Sequence, residues 1–303
     1  MKKKLAIVLG ITPDLSFAAG VMLISLKRHL APHVDAYDVV IIHDGKLDEN
    51  DTRLFYGICP NCVLLDYKPL YLDTNALPPN FRPAYIYRFE LFRMLDTYKT
   101  LIWLDCDLAI QDDISELLAY GPLAMAIDNF SKPLVENGLT FQTNLRIPVA
   151  GYDMDSEFYN TGVIVFQDTI QSPLILYEWC MNTFISLYDI LIYQDQPVLN
   201  MLVQKHPDMF TVFPAHRFNS FVPFASSNTA AIVHAVGRRK FWNDAFVALS
   251  YPEWQRDYHR WLRMGGSRYS GTVFFHDILN YGTYQLFKKL MAQEKADHSA
   301  NSL

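Results

Sequence analysis

Short apolar runs alternate along the chain with longer segments of helical spacing, and no other feature limits the possible folds as strongly. Residues 5–9 form such a run, and 17–30 follow with Val21, Ile24, Ser25 and Arg28 on successive helical turns. The same reading predicts strands at 37–42, 62–65, 101–104, 123–127, 158–166, 210–213 and 231–236. It predicts helices at 85–95, 174–187 and 194–204. Strands that are apolar throughout need cover on both faces, and interposed helices supply it. The expected fold is therefore α/β, with a Rossmann-like, mostly parallel central sheet and helices on both faces. Ligands of such sheets bind beyond the carboxyl ends of the strands, so the residues just after each apolar run carry the functional information.

Composition narrows the classes of function. Half of the 303 residues are hydrophobic and 19% are charged, which is a folding composition rather than a disordered one. The net charge of −6 gives no uniformly cationic surface, so no nucleic-acid partner is expected. Cys59 and Cys62 form a CxxC pair, but no second ligand pair accompanies it. Pro60 and Asn61 read as a loop entering a strand, so reduced thiols are expected. Lys2, Lys3 and Lys4 before an apolar run imitate a signal peptide, yet the run meets Pro13 and Asp14 after seven residues and reads as a first strand. No stretch approaches the length of a membrane span, and a cytoplasmic protein is expected. Beyond residue 245 the pattern changes, as Trp254, Tyr258 and Trp261 interleave with Arg256, Arg260 and Arg263. This predicts a helical, aromatic and basic appendage over 245–303 attached to a main domain over 1–244, with peripheral membrane contact through the appendage.

The run at 101–104 ends in Asp105-Cys106-Asp107. Two carboxylates at a sheet edge suit a divalent cation that fills its shell with diphosphate oxygens and water, provided the chain bends at Cys106 or one of them acts through water or sugar. The alternative is that the aspartates cap a helix near Ile114. Asn160-Thr161-Gly162 opens a later strand. Tyr193-Gln194-Asp195-Gln196-Pro197 places two amides and a carboxylate at the first turn of a helix. After the run at 231–236, His234 is suited to ligate through nitrogen, Gly237 lets backbone approach a phosphate, and Lys240 can neutralise one.

In their order and separation these four segments resemble the family 8 retaining glycosyltransferases, over roughly residues 5–242. Asp105-Cys106-Asp107 matches that family's DxD motif and Asn160-Thr161-Gly162 its N-[AT]-G segment. Asp195-Gln196 matches its DQ pair, and the His234 segment its HxxGxxKPW motif, with Phe241 where the family has proline. Thr12 falls where the bacterial galactosyltransferases often carry an acidic residue. The resemblance implies a GT-A fold, a UDP-sugar donor (UDP-galactose or UDP-glucose), and Mn²⁺ in preference to Mg²⁺, held by Asp105, Asp107 and His234. Two carboxylates with an imidazole suit Mn²⁺ on ligand grounds. It further implies that Gly10, Thr12, Arg88, Cys106, Thr161, Gly237 and Lys240 join Asp105 and Asp107 in binding the donor. Asp128, Asn160, Asp195 and Gln196 would line the reacting centre. By analogy the acceptor is a glycan or glycolipid such as lipopolysaccharide, at the inner face of the membrane.

Two other readings compete. A haloacid-dehalogenase-type phosphatase also uses a strand-terminal DxD, but near its N-terminus and followed by Thr or Val at a set spacing. Here Leu108 follows, and the segments at 160, 196 and 234 have no role in that scheme. A non-catalytic sugar-nucleotide or glycan-binding module is the alternative from another class; the presence of all three presumed metal ligands argues against it.

Overall fold

The computed structural model describes residues 2–30, 32, 34, 36–68, 81–128, 140–222 and 225–273. In chain order the strands are β1 Lys3–Ile11, β2 Asp38–His43, β3 Cys62–Asp66, β4 Tyr98–Leu104, β5 Leu108–Ile110, β6 Leu123–Ile127, β7 Tyr159–Gln167, β8 Phe210–Val212, β9 Ser220–Phe221 and β10 Ile232–His234. The helices are α1 Ser16–His29, α2 Glu49–Ile58, α3 Glu90–Met94, α4 Pro173–Leu187, α5 Asp195–Lys205, α6 Ala215–Phe218, α7 Ala245–Ser250 and α8 Pro252–Arg263.

Seven strands form the main sheet in the order β3-β2-β1-β4-β7-β6-β8. Parallel pairing joins β3, β2, β1 and β4, and also β6 with β8. Only β7 runs antiparallel to its neighbours β4 and β6. Each expected strand is present. The sheet is covered on both faces, as the alternation along β1 records: Leu5, Ile7, Leu9 and Ile11 enter one core cluster, Ala6 and Val8 the other. The first cluster lies under α1, α2 and α8, and the second under α3, α4 and α5.

Three differences from the sequence reading bear on the site. Residues 85–95 are not one helix but two 3₁₀ turns, Pro83–Tyr85 and Tyr87–Phe89, followed by the short α3. Ile86, Tyr87, Phe89, Leu91 and Phe92 are all buried, so the segment has no single apolar stripe to lay on the sheet, and aromatic residues favour an α-helix only weakly. The unexpected α2 is capped by Asp48, whose carboxylate accepts from the backbone N–H of Asn50 and Asp51 at 2.8 and 3.1 Å. Also unexpected is β5, which leaves the main sheet altogether. It pairs with β10 in a second sheet of order β5-β10-β9.

The described part of the C-terminal segment shares a core with β1. Trp261 of α8 is fully buried, lies against Gly20 of α1 and stacks on Phe55 at 5.6 Å. A side chain at position 20 would occupy the indole's place, its Cβ falling 2.4 Å from the ring. Arg28 of α1 donates to both oxygens of the buried Asp257, at 2.8 and 2.9 Å. The rest of the expected appendage, residues 274–303, lies outside the described residues. Among the described residues no helix is long and apolar enough to cross a membrane.

Candidate metal and donor site

The site forms where the two sheets meet. β4 ends at Leu104, the chain turns through Asp105-Cys106-Asp107, and β5 departs at Leu108. Backbone hydrogen bonds hold the turn on both sides. The Asp105 N–H donates to the Gly162 carbonyl of the main sheet at 2.9 Å, and the Asp107 carbonyl accepts from Ala235, just past β10, at 3.0 Å. The bend at Cys106 that two convergent carboxylates require is therefore present. Helix capping, the alternative role, is not filled by either Asp105 or Asp107: the 3₁₀ turn Ser115–Ala119 starts after Ile114, and the acid bonded to its first residue is Asp113, which accepts from the Ser115 N–H at 2.8 Å and its hydroxyl at 2.7 Å.

His234 at the end of β10 completes a group of three. One ligand atom from each of Asp105, Asp107 and His234 lies within 4.8 Å of the others, and Nε2 of His234 is 3.2 Å from Asp107 Oδ1 and 3.9 Å from Asp105 Oδ2. Lys240 forms an ion pair with Asp107 and donates to the Ala235 carbonyl at 2.7 Å. Burial alone would raise the Asp107 carboxyl; Lys240 and then His234 outweigh it and hold the group well below the usual carboxylate range. Asp107 is thus an anion ready for a cation. The Cys106 thiol is pushed well up by burial and by its two aspartate neighbours, and points at the Gly10 carbonyl 3.6 Å away. As a neutral thiol turned from the aspartates, it can offer a ligand only its backbone.

Arg88 ties the turn to α5. Its Nη1 donates to both oxygens of Asp195 at 3.0 and 2.9 Å, its Nε donates to the Thr161 carbonyl at 2.9 Å, and Nη2 pairs with Asp105. The guanidinium lies 4.9 Å from the Trp103 ring, whose Nε1 donates to Asp105 at 2.7 Å. Asp195 is pushed up to about 6, by burial first, with Asp105 adding and Arg88 opposing. Three carboxylates here face two fixed cations, which leaves the pocket electronegative and suited to a further cation.

A bulge presents the third segment. Between Met125 and Ala126 the pairing of β6 jumps from Ile164 to Asn160, so Thr161, Gly162 and Val163 have no partner across the strand pair. Bulges of this kind re-aim side chains beside functional sites. Asn160 donates to Asp128 at 3.2 Å and to Gln196 at 3.4 Å. Gln196 Oε1 also accepts from the Thr161 N–H at 3.2 Å, while its Nε2 donates to Asn144 at 3.0 Å. Gln194, just before α5, holds a φ of 51°, a conformation L residues seldom adopt, so the chain enters α5 strained.

Polar contacts thus join Arg88, Asp105, Asp107, Asp128, Asn160, Thr161, Asp195, Gln196, His234 and Lys240 into one cluster. Gly10 borders it through the Cys106 thiol, and packs too tightly for a side chain, since a Cβ would fall 2.4 Å from Trp103. Thr12 precedes the 3₁₀ turn after β1 without capping it through its side chain, and among the described residues it makes no polar contact with the cluster. Gly237 adopts a φ of +80° with open space where a Cβ would point, so its backbone conformation is what demands glycine. The departure at Phe241 has a structural reason: the ring is buried and stacked on Trp254 at 5.6 Å, fastening the Lys240 loop to α8. Sequence reasoning missed Asn144, Asn219 and Trp103. Trp103 alone carried a signal, standing two residues before Asp105 and so on the same side of β4.

The family model described as glycosyl transferase family 8 matches residues 6–245. No curated protein matches the chain. Among solved structures, the apo form of the bifunctional glycosyltransferase WbbM aligns with a TM-score of 0.65 at 16% identity, over 88% of this chain and 52% of that one. This chain therefore spans about half the length of WbbM. The galactosyltransferase LgtC in complex with donor and acceptor sugar analogs aligns with a TM-score of 0.65 at 16% identity, over 86% of this chain and 99% of that one. Glycosyltransferase GlyE of Streptococcus pneumoniae TIGR4 gives 0.54 at 14% identity, over 90% and 67%. These likenesses carry the fold, which is GT-A.

Proposed function

The chain belongs to glycosyl transferase family 8, and on that premise we propose that it is a Mn²⁺-dependent retaining hexosyltransferase that uses UDP-galactose or UDP-glucose. Membership implies glycosyl transfer from a nucleotide-sugar to a glycan acceptor with a divalent metal. The finer reading rests on one observation, the convergence of Asp105, Asp107 and His234 at the carboxyl edge of the sheet. Two carboxylates and an imidazole fit Mn²⁺, whereas Mg²⁺ prefers an all-oxygen, water-rich shell. The acceptor we propose is a glycolipid such as lipopolysaccharide, reached from the cytoplasmic side. Beside a catalytic domain over 1–244, the C-terminal segment 245–303 touches the membrane through the exposed Arg256, Arg260 and Arg263, because Trp254 and Trp261 are buried in the core.

In this reading Asp105, Asp107 and His234 would hold Mn²⁺, which supplies Lewis-acid stabilisation of the departing diphosphate. Lys240 and the backbone at Gly237 face the same phosphates, and Gly10, Thr12, Thr161 and the Cys106 backbone bind the rest of the nucleotide. Arg88 and Asp128 contact the donor sugar, and Asn160, Asp195 and Gln196 line the reacting carbon.

Retention requires either a protein nucleophile opposite the leaving group or a front-face route in which the leaving phosphate takes the acceptor hydroxyl's proton. The double displacement needs a free carboxylate. Both oxygens of Asp195 are held by Arg88, and the Gln196 amide is engaged at both ends. That occupancy supports the front-face route.

The decisive experiment measures UDP release from a panel of UDP-sugars with Mn²⁺ or EDTA, without acceptor. Mn²⁺-dependent release from one donor, lost in Asp107→Ala, is the expected result. Silence with every donor, together with no rise in melting temperature from UDP plus Mn²⁺, refutes the reading. Intact mass of Gln196→Glu after donor exposure should show no glycosyl adduct; an adduct overturns the front-face route.

A further inference from the structure

A neutral histidine ligates metal only through the ring nitrogen that lacks a proton, so whatever chooses the tautomer of His234 decides whether its Nε2 can serve. In water the Nε2–H form is the commoner one, and in that form the nitrogen facing Asp107 would be blocked. Partners of His234 stand at both ring nitrogens, Asn219 at Nδ1 and the Asp107 and Asp105 carboxylates at Nε2, and the Nδ1 side is the one fixed by neutral amides. That Nδ1 lies 2.8 Å from the Oδ1 of Asn219, a residue buried to 1% exposure. Which end of the Asn219 amide faces the ring follows from the next link: the other end of Asn219 lies 2.8 Å from the side-chain oxygen of Asn160. That Asn160 atom must be an oxygen, because it accepts at 2.9 Å from the backbone N–H of Gly162, which can only donate. The opposite end of Asn160 agrees, since it faces a carboxylate oxygen of Asp128 and the Gln196 carbonyl, both acceptors.

Polarity therefore passes along the chain in one direction. The Gly162 N–H fixes the Asn160 oxygen, Asn160 requires the Asn219 amide nitrogen, and the Asn219 oxygen requires a proton on His234 Nδ1. Nε2 is left facing the carboxylates of Asp107 and Asp105, as the ring nitrogen that a cation between them can reach. We propose that Asn219 is a positioning residue for the metal site, which with Asn160 relays the orientation of the Gly162 amide to His234 and selects the imidazole tautomer able to bind Mn²⁺. The proposal rests on the metal-dependent reading above and extends it to a residue in none of the four motifs. Position 219 is itself fixed by the second sheet: it immediately precedes β9, whose Phe221 is the register partner of His234 and packs edge-on against the imidazole at 5.7 Å. Fixing the outward nitrogen of a metal-bound histidine in this way typically changes metal affinity by about 10–100-fold.

The test reads the tautomer directly in metal-free protein, by long-range ¹⁵N–¹H correlation of histidine-labelled chain, with His234→Gln identifying the signal among the nine histidines. Wild type should carry a proton on Nδ1, whether or not Nε2 donates a second one to Asp107 before metal binds. Asn219→Leu, with the same branched arrangement of side-chain heavy atoms, should move the proton toward Nε2 and weaken Mn²⁺ binding, titrated by electron paramagnetic resonance, by about 10–100-fold. Asn219→Asp, which still accepts from Nδ1, should keep the proton there and bind Mn²⁺ more tightly than Asn219→Leu. An Nε2–H tautomer in wild type overturns the proposal without any variant, and so does Asn219→Leu binding Mn²⁺ as tightly as wild type. If Asn219→Leu fails to fold, the wild-type tautomer and Asn219→Asp decide. Failure of wild type to bind Mn²⁺ at all would instead refute the metal reading, and leaves the tautomer measurement standing by itself.

Discussion

Gly162 is the residue at which the motif read from the sequence and the geometry of the site can be tested against each other. A Cβ added there would lie 2.2 Å from Cε1 of His234, 2.7 Å from its Nδ1 and 3.0 Å from Oδ1 of Asn160. Ordinary contact between heavy atoms begins near 3.5 Å, so Gly162→Ala asks the imidazole to withdraw by about 1.3 Å. The ring has nowhere to go. It is 4% exposed, bonded to Asn219, packed on Phe221, and carried on a strand paired on both sides. Overpacking of this kind costs about 1–3 kcal/mol, and loss of the His234–Asn219 hydrogen bond adds about 1 kcal/mol. Calorimetry in EDTA should therefore show a melting temperature lowered by roughly 5–15 °C, at about 2–4 °C per kcal/mol. Mn²⁺ affinity should fall by about 10–100-fold, because the displaced group is one of the three proposed ligands. Gly57→Ala on α2 is the control, since a Cβ there meets nothing within 4 Å and should stabilise the helix by about 0.5–1 kcal/mol. If Gly162→Ala melts with wild type and binds Mn²⁺ equally well, the argument that glycine is required by His234 is wrong.

Three further outcomes are expected. Removing Arg28 leaves Asp257 buried without its partner, and because Arg28 is itself partly exposed the loss at pH 7 should be about 1–3 kcal/mol by denaturant titration. Burial already raises the Asp257 carboxyl against the pull of Arg28, so without Arg28 it rises further and the folded state favours the protonated acid. The penalty of Arg28→Ala should then be full above the folded pKa and fade as pH falls toward the unfolded value near 3.9; an equal loss at pH 7 and pH 4 refutes this. Trp261→Ala empties a fully buried site between Gly20 and Phe55 and should cost about 3–5 kcal/mol; a loss under about 1 kcal/mol would mean that α8 is not part of the core. Gly237→Ala has room for its methyl but not the backbone conformation, and should lose about 1–2 kcal/mol, whereas a neutral or stabilised variant would show that the loop relaxes freely.

The strands were legible because burial on both faces writes them as continuous apolar runs, and the four motifs were legible because each stands at the end of a strand or at the start of a strand or helix. The segment 85–95 misled because its spacing of Ile86, Phe89 and Arg93 fits a helix, while Tyr87, Leu91 and Phe92 fill the remaining faces with buried side chains. For α2 a signal existed and went unused: Asp48 as a cap, then Asp51, Phe55 and Ile58 at helical spacing on the buried side. The bulge at Thr161–Val163 left no trace in composition, since a slip in pairing depends on the partner strand. Asn219 was invisible for a related reason. Nothing local distinguishes a buried relay from a loop asparagine until β9 is set beside β10.

The same geometry explains why the DxD alone was ambiguous and the full set was not. Asp105 takes its place from a backbone hydrogen bond to Gly162 in the main sheet, and Asp107 from one to Ala235 beside the second sheet. His234 belongs to the second sheet and is oriented through Asn219 and Asn160 back to Gly162 of the first. The three ligand atoms can therefore converge only when both sheets are formed and docked. A divalent ion bound there would bind the native state and not the unfolded chain, so by linkage it should stabilise the junction of the sheets in proportion to its concentration over its dissociation constant. The loop that carries Lys240 is fastened to α8 by Phe241, and α8 is fastened to α1 by Trp261. Substitutions in that distant core should accordingly reach the Lys240 side of the site through position rather than charge.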